Sequence, residues 1–547
     1  MAKSISYSFA SVGGYRSLMT RRQSIKYTAA AVLGAGLLPP CAWAKRPLRR
    51  REYHVCLSPA AVLEDPSFPD VLASAGVNWV WLTGFFYGYW PWPMESLVKA
   101  KEALLQAGIG ARVINVPLGH PGDSLGARDG SFPLTPPSHW RLGRAFDGNN
   151  FSGTSLHAPA TDENVNAIKE LRRSGFSQIF LDDDFRLARS PGETGGCFCE
   201  DHRDRFLRRS GLPLSSWSEL LDDVRARRLT TLLRLWVDFT CDDLTASFRS
   251  QQEAADGNLG IMVMYLGAEK AGIRLRDYTE ASFRVGELMF DDASFGQLKG
   301  KTDELFSALF HRRFVRPEQA YSETTAYPAD RLSANHLAAK LVISTLADVR
   351  NTMFMSGVTP FPKAHWAALT AAMRQQAGFH GKLAGHRLCG PLKHYWGEAS
   401  RLVGDDRPFS LFMALGVPFE VSDRPARDGW TFLSDADALA VTSKQLVSRG
   451  TQFIYRSQAG ANHDSLEACQ ESLPELMAFK QRILPSLRRI PYVEGIEPAV
   501  LGWYPFARAA LLWNPTTNRR RFAVRCGQQL REVTLEPLDS ALVSDID

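Results

Sequence analysis

Little in this chain of 547 residues is built for a bilayer. Beyond its first segment, no apolar run approaches the ~20 residues that a spanning helix needs. Low-complexity tracts and short-period repeats are also lacking. No glycine-rich phosphate loop follows the first strand-like run, which counts against a dinucleotide-binding open sheet. Charge of one sign is scarce as well. The formal net charge is +6, but Lys3, Arg16, Arg21, Arg22 and Lys26 stand in residues 1–44 without a single acid, so the remainder is near +1. Lys45, Arg46, Arg49, Arg50 and Arg51 read as a solvated leader, and a nucleic-acid surface is not indicated. Cysteine is sparse: eight residues, of which Cys41 falls before a predicted cleavage point, leaving an odd seven whose spacing demands no disulfide. Cys56, Cys241, Cys389, Cys469 and Cys526 read as small buried apolar residues.

What is present is ordinary globular composition, 45% hydrophobic and 22% charged, rich in glycine, proline and tryptophan as loop-rich enzymes with aromatic surfaces are. The length requires two to four domains. Residues 20–26 (Thr-Arg-Arg-Gln-Ser-Ile-Lys) precede an apolar stretch to Leu38 and an Ala-x-Ala site ending at Ala44. A basic start, short apolar middle and small residues at the cut are the parts of an export signal. The paired arginines resemble a twin-arginine signal, which implies the twin-arginine translocase as partner and a periplasmic or secreted location. An ordinary secretory signal or an anchor is the alternative.

From residue 52, short apolar runs alternate with helical stretches, the mark of parallel βα units. Strands are predicted at 53–57, 79–83, 111–116, 178–183, 260–265, 287–291, 320–322 and 352–355. Eight is the number for a closed (β/α)8 barrel, with a doubly wound open sheet as the competitor. In a barrel, chemistry collects at the C-terminal strand ends. There the second run leads into an aromatic loop with Tyr89, Trp90 and Trp92, suited to stacking on sugar faces or to core packing. The third ends at Asn115, the fourth at Asp182, Asp183, Asp184 and Arg186, the sixth at Asp291 and Asp292, and the seventh at Glu323. Glycosidic hydrolysis needs carboxylates from different strands, one to protonate the leaving oxygen and one to attack carbon or activate water. The ordinary alternatives are a helix cap or a loop ion pair for Asp291 and Asp292, and a calcium site at Asp182 to Asp184.

These residues resemble the glycosidase clan that contains the family 42 β-galactosidases, over about residues 50–545. In that clan Asn-Glu ends strand four and supplies the acid/base, and a Glu ends strand seven as nucleophile. The resemblance implies Asp184 as acid/base, Asp183 in place of the amide, Arg186 orienting them, and Glu323 as nucleophile or base. It further implies substrate contacts from Tyr89, Trp90, Trp92, Asn115 and Asp182, and an oligosaccharide or glycoside substrate. Asp for Glu at the acid/base shortens the side chain by a methylene and alters the carboxylate gap that separates retention from inversion. A second assignment, similar to another barrel clan, pairs Asp182 or Asp184 with Asp292 as acid. No cofactor is required by either.

Cys197-Phe198-Cys199-Glu200-Asp201-His202 stands apart. Two thiolates and an imidazole so spaced could hold zinc or iron at Cys197, Cys199 and His202, or form a tight loop with buried or oxidised cysteines. Past residue 380 the pattern becomes that of a small α/β domain (381–485), similar to the amidotransferase-like assembly domain of family 42 and implying a homo-oligomer. A terminal β domain (486–547) follows the barrel (45–380) and this unit. Three functions compete: a glycoside hydrolase, a non-catalytic carbohydrate-binding barrel, and a metal-dependent enzyme using the cysteine–histidine cluster.

Overall fold

Strand residues of the first half of the chain alternate between two apolar layers. Tyr53, Val55 and Leu57 belong to one core with Val80, Leu82, Val113, Ile179 and Leu181, while Cys56, Trp81, Ile114 and Phe180 belong to another. A sheet with period-two alternation and both faces apolar must be covered outside and filled inside, and a closed barrel achieves both. The computed structural model describes residues 51–118, 135–154, 156–182, 185–188, 192–263, 266–286, 289–440, 451–456 and 466–546, without the side chains of 151–154. The parallel strands are β1 (Glu52–Leu57), β2 (Trp79–Phe86), β3 (Gly110–Val116), β4 (Ile179–Leu181), β5 (Leu259–Val263), β6 (Ser282–Val285), β7 (Ala320–Ser322) and β8 (Asn351–Phe354). They pair in sequence order, and β8 closes on β1 with Asn351 opposite Glu52.

One expected strand is displaced. The sixth lies at Ser282–Val285, not at 287–291. Its sequence, Ser-Phe-Arg-Val, carries a charge where a strand core is expected. Phe283 and Val285 face the helical layer, and Arg284 turns into the barrel, where it forms an ion pair with Asp182. A charge neutralised in the lumen makes a strand that apolar patterning passes over.

The lumen is packed. Trp81, Phe180, Tyr321 and His54 meet ring to ring, with Trp81–Phe180 centroids at 4.6 Å and Phe180–Tyr321 at 4.9 Å. Outside lie helices such as α1 (Met94–Gln106), which buries Leu97, Ala100 and Leu104 along one stripe. Others are α2 (Ala160–Arg173), α3 (Glu200–Ser210) and the long α4 (Thr231–Ala254), whose Thr230 hydroxyl accepts the Leu233 N–H at 3.1 Å.

The second unit is a parallel five-stranded sheet of β9 (Leu392–Tyr395), β10 (Phe419–Ser422), β11 (Trp430–Leu433), β12 (Gln452–Arg456) and β13 (Glu467–Cys469), ordered β10-β9-β11-β12-β13. The helix expected at 441–448 lies outside the described residues. Buried polar ties join this sheet to the barrel: Lys270 to Asp406 at 2.7 Å, and the Trp396 indole to the Leu266 carbonyl at 3.2 Å. The chain ends in two three-stranded antiparallel sheets, β14 (Tyr492–Val493) with β17 (Arg520–Cys526) and β18 (Gln529–Leu535), and β15 (Val500–Tyr504) with β16 (Ala509–Trp513) and β19 (Ser540–Ser544). Their inner residues share one core, Phe522 and Val524 from one sheet and Leu501 and Leu512 from the other, which makes a sandwich. None of the described helices is long and apolar enough to cross a membrane.

Candidate active site and candidate metal centre

Three candidate residues stand at the C-terminal ends of barrel strands, Asn115 near the end of β3, Asp182 after β4 and Glu323 after β7, and Arg284 of β6, which sequence reasoning did not mark, pairs with Asp182. Glu323 is 3% exposed. The backbone around it is fixed locally, with the Thr325 hydroxyl donating to the Glu323 carbonyl at 3.0 Å and the Ser322 and Thr324 hydroxyls 2.9 Å apart. Thr324 has φ of +35°, a left-handed value that a β-branched residue rarely adopts. Strain of this kind persists where surroundings impose it, and such places cluster at functional sites.

The aromatic loop after β2 is a tight turn. The Phe86 and Tyr89 amides exchange hydrogen bonds at 2.9 Å, and Tyr87 and Gly88 both have positive φ, +34° and +100°. A Cβ on Gly88 would lie 2.4 Å from the Pro137 ring, so only glycine fits. Asn115 Oδ1 accepts the Phe85 N–H at 2.9 Å, and bare Gly84 makes room for it. Asn115 therefore braces the aromatic loop. Tyr89, Trp90 and Trp92 are half-buried against the core, with Trp90 5.3 Å from Phe85.

The acidic run divides. Asp182 is buried and paired with the fully buried Arg284, so its charge is met by a guanidinium, which disfavours a calcium ligand there. Arg186 is half-buried beside the buried Phe185. Asp183 and Asp184 lie outside the described residues. Asp292 opens a short helix and ties a loop, accepting from the Ser333 N–H at 2.9 Å and meeting His336 Nδ1 at 2.6 Å. Burial raises its pKa, but His336 and Ser333 together outweigh that and hold it below the usual carboxylate value, opposite to what a proton donor needs. The helix cap is Asp291, whose carboxylate accepts the Ser294 N–H at 2.7 Å, and Asp292 is a loop tie; the pairing that makes Asp292 the acid has no support in its surroundings.

No family model matches the sequence, and no curated protein does. Solved structures do match. A catalytic mutant of Gan42B, a GH42 beta-galactosidase from G. stearothermophilus, superposes with a TM-score of 0.55 over 90% of this chain and 98% of that one at 9% identity. The beta-galactosidase from the psychrophilic Marinomonas ef1 does so with 0.51 over 90% and 99% at 10% identity. The chain has the GH42 fold. At such identity the likeness is one of fold, across nearly the full length of both chains.

Beside the GH42-like barrel rim, the loop after β4 gathers the second candidate centre. His157, Cys197, Cys199 and His202 bring their ligand atoms within 4.8 Å of one another. Cys199 Sγ lies 3.1 Å from His202 Nδ1 and 3.5 Å from His157 Nε2. Tetrahedral ligands about 2.0–2.3 Å from zinc stand about 3.3–3.8 Å apart, so this donor set fits that ion. The loop is pinned by backbone bonds. The Gly195 amide donates to the Lys270 carbonyl and the Gly196 amide to the Leu187 carbonyl, each at 2.6 Å, and the Trp236 indole bonds the Gly195 carbonyl at 3.0 Å. Cys199 is then the residue that precedes α3, and His202 stands in the first turn of that helix. The Cys197 thiol first, then the two imidazoles, hold Cys199 far below the ordinary thiol value against the opposing effect of burial, which is the thiolate a metal requires. Cys197 is pushed up by its bond to Cys199 and by burial.

Sequence spacing supplied three of these four ligands. His157 was missed because it stands forty residues upstream, across α2, as a lone histidine before Ala158-Pro159. Only the chain's path round the barrel brings it to the loop. Cys389 is half-exposed, while Cys56, Cys241, Cys469 and Cys526 are buried; no disulfide joins the described cysteines.

Proposed function

We propose that this protein is an exported glycoside hydrolase acting on an oligosaccharide or glycoside, with Glu323 as nucleophile or base and Asp184 as acid/base. The carrying observation is a buried carboxylate, Glu323, at the seventh-strand end of a barrel with the GH42 fold, beside a strained Thr324. A buried carboxyl suits a role in charge development at a sugar carbon, and a second carboxyl from the fourth strand supplies the proton the leaving oxygen needs. Asp183 and Arg186 orient the pair, and Tyr89, Trp90 and Trp92 offer faces for the sugar. The test is hydrolysis of a panel of aryl glycosides by the mature protein, with Glu323→Gln and Asp184→Asn. Loss of at least about 100-fold in both folded variants is expected. No turnover on any glycoside, with sugar affinity retained in Glu323→Gln, would replace hydrolysis by binding.

A structural zinc ion accompanies this reading, favoured by the four converging donors. His157, Cys197, Cys199 and His202 would hold it, tying the loop after β4 to α2 and α3, and bound there it supplies cross-linking, not chemistry on substrate. Elemental analysis of the folded protein is expected to find one zinc per chain, lost in Cys199→Ser. Export runs through the twin-arginine translocase to the periplasm or beyond. Replacing Arg21 and Arg22 together by lysine should leave the precursor inside the cell. The α/β unit mediates a homo-oligomer, which light scattering on the mature protein would reveal as a mass multiple of the chain.

A further inference from the structure

Two buried polar atoms face one another behind the cysteine–histidine cluster, and neither has a hydrogen-bond partner: His202 Nε2 and Asp243 Oδ2, 3.6 Å apart. Asp243 lies on α4, and its other oxygen takes the Arg205 guanidinium of α3 at 2.6 Å. On its opposite side the His202 ring presents Nδ1 to Cys199 Sγ at 3.1 Å. A neutral imidazole that gives Nδ1 to a metal must carry its proton on Nε2, and that proton needs an acceptor. The acceptor facing it is Asp243. The carboxylate also borders a cleft of about 310 Å³ between α2 and α4, lined by Leu156, Asp162, Arg205 and Ser247 among others.

We infer that Asp243 is the positioning residue of the metal centre: it fixes His202 as the Nε2–H tautomer and aims Nδ1 at the ion. The inference rests on the zinc reading above. It assigns a role to a carboxylate on a different helix, forty-one residues beyond the last ligand, that no ligand spacing marks. Arg205 is half-exposed and orients Asp243 only at its second oxygen.

The test measures metal binding, not turnover. Mature protein is stripped with a chelator, confirmed folded by circular dichroism, and titrated with Zn²⁺ in competition with a chromophoric chelator, then with Co²⁺, whose absorption reports thiolate and imidazole ligation. Asp243→Asn should weaken Zn²⁺ by about 10–100-fold while leaving the thiolate-to-cobalt band, and Asp243→Glu should recover part of the loss. Arg205→Ala, which breaks the ion pair but leaves the carboxylate, should change affinity by less than about fivefold. If wild type takes up no stoichiometric Zn²⁺ or Co²⁺, the metal reading itself falls. If wild type binds and Asp243→Asn binds as tightly, or Arg205→Ala weakens binding as much as Asp243→Asn, the positioning role is overturned and the four-ligand site stands without it.

Discussion

Removing the guanidinium from inside the barrel is the sharpest test of how its rim is held. Arg284 is 0% exposed and Asp182 is 2% exposed, and they form an ion pair walled by the Met353 and Met355 sulfurs at 3.2 and 3.3 Å from the guanidinium. Arg284→Met fills part of the volume but leaves the carboxylate in a dry lumen. At an effective dielectric near 20, charges about 4 Å apart attract by about 4 kcal/mol, and breaking a buried pair from one side costs about 3–5 kcal/mol. For a unit of this size about 1 kcal/mol moves Tm by about 2 °C, so the barrel transition should fall by about 6–10 °C. Adding Asp182→Leu removes the buried carboxylate as well, and the double variant should regain most of the loss. Thermal unfolding by calorimetry at pH 7 measures all three. A single variant within about 1 kcal/mol of wild type, or a double variant no better than the single, refutes the claim that this pair is a mutually dependent charge in the lumen.

Gly196→Ala forces a side chain onto a residue at φ +115° and places Cβ 2.6 Å from the Trp236 ring and 2.9 Å from the Thr240 hydroxyl. It should cost about 2–3 kcal/mol in denaturant titration and lower the zinc content measured on the purified protein. His394 is fully buried, its pKa carried down to about 3 by burial first and then by the Arg456 charge. Its unfolded value is about 6.5, so the stability it contributes is complete above that pH and is lost as pH falls toward 3, at about 1.4 kcal/mol per pH unit. Urea unfolding between pH 7 and 4 should show a slope flatter by that amount in His394→Gln, and an unchanged slope counts against it. Under the glycosidase reading, Trp90→Ala should raise KM for the hydrolysed glycoside about 3–10-fold with kcat little changed; an unaltered KM removes Trp90 from the sugar site.

Most of the barrel was legible because its strands are short apolar runs with turn signals on both sides, and period-two alternation serves a lumen and a helical layer at once. The sixth strand escaped since Arg284 looks like a loop residue until Asp182 is placed across from it. In the α/β unit, the strands Leu392–Tyr395 and Glu467–Cys469 were unread for a related reason. His-Tyr and Glu-Ala-Cys carry weak strand signals of their own, and both runs hold their conformation through parallel partner strands. The rim residues were found as residue types at strand ends. Their duties needed coordinates: Asn115 became a brace for the aromatic turn, Asp182 half of an ion pair, and Asp292 a loop tie.

Three departures from local rules, among others elsewhere in the chain, fall at the candidate sites. Tyr87 and Thr324 take left-handed backbone without being glycine, and they follow the ends of β2 and β7, the two strands that supply the aromatic loop and Glu323. Gly195 and Gly196 admit a backbone too close for any side chain, and they lead directly into Cys197 and Cys199. His202 and Asp243 leave buried polar atoms facing each other behind the candidate metal ligands. Each departure costs stability where it occurs, so the surrounding structure must hold it in place. Their presence together at the rim and at the loop after β4 is the physical reason to look for both turnover and metal there.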